Sequence, residues 1–167
     1  MDIQQIKQRL ARPAVKFMAG GFRPLGTDEE SWLGNVFLFR PEEGVPTNQA
    51  GQPLLPYAQF YLPALPFNSP LLAGVRVLTV FISDPFPEDF EPMGNNWVIR
   101  EYGPDDVLVR KALPVPGTFL KPFPLKAEAV PEDFPLWDGG GVPADLEQAI
   151  LTLERAGEIQ SYYDLIT

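Results

Sequence analysis

Seven prolines fall between Pro41 and Pro70 of this 167-residue chain, which carries twenty in all. A proline has no backbone N–H and a fixed φ, so it costs a hydrogen bond inside a helix or a central strand. The middle of the chain is thereby barred from long helices and from the strand–helix–strand units that build parallel sheets. Loops and short or bulged strands remain, and residues 57–62 (Tyr-Ala-Gln-Phe-Tyr-Leu) are the strand-like stretch among them. Hydrophobic residues make up 45% of the chain, enough to fill a core, so the prolines punctuate a folded protein.

Periodicity supplies the flanking elements. Ile3, Ile6 and Leu10 share one helical stripe over residues 2–11, with Asp2 and Gln5 spaced as a capping box and Pro13 ending the helix. Near the other end Leu146, Ala149, Ile150 and Leu153 form a second stripe, started at Pro143 and stopped at Gly157. Residues 159–166 extend it by a further turn or two. Between these helices lie only strands. Residues 14–18 and 32–40 are expected as two, the second weakened at Gly34. Residues 75–83 are apolar on both faces apart from Arg76 and belong inside a sheet. Residues 97–102 and 107–111 flank Gly103-Pro104-Asp105-Asp106 as a hairpin. Residues 119–130 form a strand that Pro122 and Pro124 push to an edge. Strands in succession between terminal helices predict an α+β fold with a mainly antiparallel sheet. One domain is expected over residues 1–167, with 142–167 its C-terminal helical segment.

The chain has no His and no Cys. Ser-His-Asp and Cys-His catalysis, disulfides, zinc ribbons and thiol chemistry are therefore excluded. Only carboxylates could hold a metal, and none is spaced for it. Asp138-Gly139-Gly140-Gly141 lacks the alternating oxygen ligands of a calcium loop, and Gly20-Gly21 lacks the lysine of a phosphate-binding loop. No cofactor is expected. The pairs within Asp28-Glu29-Glu30 and Asp105-Asp106 are neighbours in sequence, which rarely converge as an acid and its base, so no catalytic residue is assigned. Residues 1–7 lack the charged and apolar runs of a signal peptide, and no apolar stretch is long enough to span a bilayer. A cytoplasmic protein is expected.

Net charge is −9 and unevenly placed: residues 1–40 balance at +2 and residues 41–167 at −11. Nucleic acid and anionic membranes need the opposite sign; a basic protein partner suits it. Two stretches mix carboxylates with aromatic rings, a composition that docks on Lys/Arg-rich surfaces. The first supplies Asp84, Phe86, Glu88, Asp89, Phe90 and Glu91, the second Glu128, Glu132, Asp133, Phe134, Trp137 and Asp138. The tetrapeptide Pro-Glu-Asp-Phe occurs in both, too few copies for a repeat architecture. Gln59, the polar side chain of an otherwise apolar strand, is a ligand-pocket candidate. The competing reading is that its amide satisfies backbone groups left over around Pro53 and Pro56.

The order Gly20-Gly21-Phe22-Arg23-Pro24, Trp32, Gly51-Gln52-Pro53-Leu54-Leu55-Pro56-Tyr57-Ala58-Gln59, Leu65-Pro66 and Gly74-Val75-Arg76-Val77-Leu78-Thr79-Val80-Phe81 resembles the YwqG-like family of bacterial proteins over residues 14–84. The resemblance implies an α+β fold with much β structure. It assigns no catalytic residue. Members beside toxin genes imply an immunity role. A soluble acidic binding protein, an immunity-type inhibitor of a basic toxin partner, is therefore the leading expectation. The alternative is a small-molecule binder or carboxylate-dependent hydrolase with a cleft near Gln59.

Overall fold

In the computed structural model, which describes residues 1–85, 92–113 and 120–166, contacts gather the chain into two compact units. One joins Met1–Val15 to Ala129–Thr167; the other is Lys16–Glu128. The apolar stripe of the N-terminal helix is spent on the C-terminal helices, and that draws both chain ends into one core.

In the first unit, α1 (Ile3–Leu10) begins with the expected box: the Asp2 carboxylate accepts from the Gln5 N–H at 2.8 Å, and the Gln5 side chain accepts from the Asp2 N–H at 3.1 Å. Helix α2 (Ala144–Ala156) stops at Gly157, whose φ of 72° is the left-handed conformation a glycine adopts without strain. Helix α3 is the short Tyr163–Ile166. Ile6 and Leu10 from α1, Leu146, Ile150 and Leu153 from α2, and Ile159, Tyr162 and Leu165 form one buried cluster. The Tyr162 hydroxyl, carried into this apolar core, donates to the Pro135 carbonyl at 2.6 Å.

The strands are β1 (Arg12–Ala19), β2 (Ser31–Leu33), β3 (Leu38–Phe39), β4 (Leu55–Tyr61), β5 (Val77–Ile82), β6 (Trp97–Tyr102), β7 (Val109–Arg110) and β8 (Phe123–Asp133). Six form a sheet in the order β1-β8-β2-β4-β5-β6, and β3 pairs with β7 in a separate ribbon. Every pairing with a described register is antiparallel. The fold is α+β, with helices drawn from the two ends of the chain. Strand β5 is interior, as its two apolar faces require.

Three expected elements differ. The strand over 32–40 is two, because Gly34 takes φ +78° and a Cβ there would lie 2.3 Å from the Lys121 carbonyl oxygen. The 97–111 hairpin does not form. Its turn does: the Asp106 carboxylate accepts from the Gly103 N–H at 2.7 Å. Past the turn, however, Val109 and Arg110 pair with Phe39 and Leu38. Asp106 is held by Arg40 just after β3, and this diverts the chain from β6. The third difference is β8, which lies between β1 and β2 and not at an edge. Pro124 lacks a donor, but its carbonyl accepts from the Gly20 N–H at 3.1 Å.

Candidate functional site

Gln59 sits in the middle of β4, flanked by Trp32 of β2 and Thr79 of β5; Thr79 in turn faces Arg100 of β6. Residues directly opposite across a sheet share a face, so these four side chains form a row. Gln59 is fully buried. Its carbonyl oxygen accepts from the Phe37 and Leu38 N–H groups, both at 3.0 Å, and its amide nitrogen donates to the Glu30 carbonyl at 3.1 Å. The side chain therefore satisfies backbone, but that of the 30–38 segment and not the groups around Pro53 and Pro56. It ties that segment to the sheet. On either side of it, Trp32 Nε1 and Thr79 Oγ1 are buried without a hydrogen-bond partner among the described residues.

A second polar assembly holds the loop after β3. The Tyr102 hydroxyl donates to Glu43 Oε2 at 2.7 Å, and the Arg40 N–H donates to the same oxygen at 3.0 Å. Lys111 Nζ donates to the Pro41 and Glu43 carbonyls, each at 2.6 Å. The Arg40 guanidinium reaches Asp106 at 3.0 Å and lies over the Tyr102 ring, while Arg100 lies over the Phe81 ring. Burial pushes the Glu43 carboxyl up, but the Tyr102 hydroxyl, the Arg40 N–H and the two guanidinium groups outweigh it and leave the carboxyl below its ordinary range. Burial first, then the Glu43 carboxylate, push the Tyr102 phenol up to about 12. The Gly103 N–H, then Arg40, hold the Asp106 carboxyl low. Charge and hydroxyl are thus locked as Glu43⁻ and neutral Tyr102.

Beside this assembly lies a cleft of about 280 Å³, lined among others by Asp28, Glu29, Tyr61, Arg76 and Asp106. Its charged groups are largely committed. Asp106 holds Arg40 and Gly103, the Arg76 guanidinium donates to the Pro104 and Asp106 carbonyls, and Asp28 pairs with Arg110 at 3.5 Å. Glu29 is the remaining carboxylate. Hydrolysis by carboxylates takes two with separate roles, and this cleft frees one.

The acidic–aromatic stretches are placed in part. Asp84 is exposed, following the buried Ser83 at the end of β5. Phe86, Glu88, Asp89, Phe90 and Glu91 lie outside the described residues, as does the side chain of Asp138. Glu132 and Asp133 are exposed at the end of β8, while Phe134 packs against the helical core. Asp84, Glu132 and Asp133 form no ion pair among the described residues. No group of three or more acidic residues among the described ones is placed to hold a metal ion, and no helix among them is long and apolar enough to cross a membrane. No protein-family model matches the chain, and no curated protein matches it.

Proposed function

We propose that this chain is a YwqG-like binding protein of the immunity type, acting in the cytoplasm without catalysis, whose carboxylates dock a basic toxin domain. The observation that carries the reading is the set of exposed carboxylates left without internal cations. The helical unit, residues 1–15 with 129–167, contains nine acidic side chains against four basic ones, and Glu132 and Asp133 are exposed among them without an ion pair among the described residues. Asp84 adds another in the sheet unit. A surface of uncompensated negative charge speeds and selects encounters with a positive partner, and it repels nucleic acid. Among the carboxylates lining the cleft beside β3, only Glu29 is uncommitted, one short of the pair that hydrolysis by carboxylates uses.

The test is retrieval of partners at low and at high salt, followed by the triple variant Asp84→Asn, Glu132→Gln, Asp133→Asn. The expected result is a basic protein that is lost as salt rises and is held more weakly by the variant. Recovery of no basic protein, or of one indifferent to salt and to the variant, overturns the proposal.

A further inference from the structure

The helical unit contains a second cleft, of about 260 Å³, lined by Trp137, Gly140, Val142 and Glu147. It is smaller than the roughly 300–1,000 Å³ typical of small-molecule pockets. We propose that it receives a lysine or arginine side chain of the docked protein, held between the Trp137 indole face and the Glu147 carboxylate. This deepens the reading above and rests on it.

The indole is fixed in advance. It packs on the Tyr162 ring at 5.2 Å, and Tyr162 is itself anchored through its hydroxyl to Pro135. A cation over an indole gains from the ring quadrupole, most of all where the ring needs no ordering. Glu147 is exposed on the first turn of α2 and pairs with no cation among the described residues.

An anion is a poor guest here, although a helix starts beside the cleft. The Leu146 and Glu147 N–H groups donate to the Pro143 carbonyl, each at 2.9 Å. Asp145, also in that turn, brings its own negative charge and holds Arg9 at 2.7 Å. The cation that reaches this loop, Arg12, spends a guanidinium N–H on the Gly141 carbonyl. The excess of nine acidic over four basic side chains in residues 1–15 and 129–167 completes the match to a positive guest.

An oligo-arginine peptide and its neutral oligo-citrulline counterpart, titrated into the full chain and followed by the NMR signal of the Trp137 indole N–H, test the site. The expected result is a saturable shift of that signal with oligo-arginine alone. Affinity should fall about fivefold in Glu147→Gln, a change on an exposed side chain that leaves the core untouched. Salt-dependent binding that leaves the Trp137 signal still and is equal in Glu147→Gln overturns the cleft while the acidic docking reading survives. An equal response to oligo-citrulline also overturns the cleft. The absence of any salt-dependent binding to oligo-arginine overturns both.

Discussion

The helical unit and the 30–44 segment of the sheet unit are stabilised in opposite ways. Within the first, Ile6, Leu10, Leu146, Ile150 and Leu165 are wholly buried against one another, and its polar bonds sit mainly at helix ends. Segment 30–44 has apolar anchors too, Val36, Leu38 and Phe39. Its backbone, however, is held by side chains that reach in from elsewhere: the Gln59 amide, the Lys111 ammonium and the Tyr102 hydroxyl through Glu43. Gly34 and Pro41 deny this segment a continuous ladder, so side-chain groups add to the strand pairings it does make. A core of apolar stripes tolerates the loss of one methyl group by degrees. A backbone held by a few directional polar groups does not.

The sharpest test of that contrast is Gln59→Leu, which keeps much of the volume and removes the amide. The Phe37 and Leu38 N–H groups and the Glu30 carbonyl lose their partner, at about 1–3 kcal/mol each when left buried and unpaired. The sheet unit is expected to lose upward of about 4 kcal/mol, read by urea denaturation. A loss below about 1 kcal/mol breaks the comparison. In the helical unit, Ile150→Ala is expected to cost about 3 kcal/mol, the ordinary result of emptying a well-packed site. A cost equal to or above that of Gln59→Leu reverses the ranking of the two regions.

The same division explains what could be read in advance. Helices α1 and α2 were legible because their evidence is local: a stripe at 3.6-residue spacing, the Asp2–Gln5 box, Gly157 as a stop. Strand β5 was legible from its own apolar run. The side chains that hold 30–44 were not, because they lie far along the sequence from what they hold. Gln59 bonds residues 21, 22 and 29 positions away, and Tyr102 meets Glu43 across 59. Gln59 stood out as a polar residue in an apolar strand, but nothing local named its partners. The hairpin expectation failed for a related reason: the turn chemistry at 103–106 is sound, and Arg40, more than sixty residues earlier, decides where the chain goes next. Of the candidate docking residues, the exposure of Glu132 and Asp133 followed from their charge. The packing of Phe134 into the helical core did not.

Titration tests the polar clamp of the sheet unit. The Glu43 carboxyl is held below its ordinary value, so the stability it contributes is full above about pH 4.5 and is lost as pH falls through its lowered folded value. Tyr102 has the reverse sign: its folded value is raised from 10 to about 12, so its contribution holds below pH 10 and is lost as pH rises toward 12. Glu43→Gln should therefore flatten the acid side of the stability–pH curve of the sheet unit. In the same variant the phenol should titrate closer to its ordinary range, read by absorbance at alkaline pH. An unchanged acid limb and an unchanged phenol titration would show that the pair does not clamp the loop.

The smallest expected effect runs in the stabilising direction. Thr79 is fully buried beside Gln59, and its hydroxyl has no partner among the described residues. A buried hydroxyl left unpaired costs free energy that an apolar group of the same shape does not, and valine matches threonine in shape while favouring the strand. Thr79→Val is expected to raise stability by about 1 kcal/mol, measured as a higher urea midpoint at unchanged slope. The partners of Gln59 stay in place in that variant, so the gain isolates the cost of one unpaired group in the polar row. A loss of stability would mean that the Thr79 hydroxyl is satisfied in solution, through a buried water shared with the Gln59 amide, and that the row is a closed network and not one bonded amide between two orphaned neighbours.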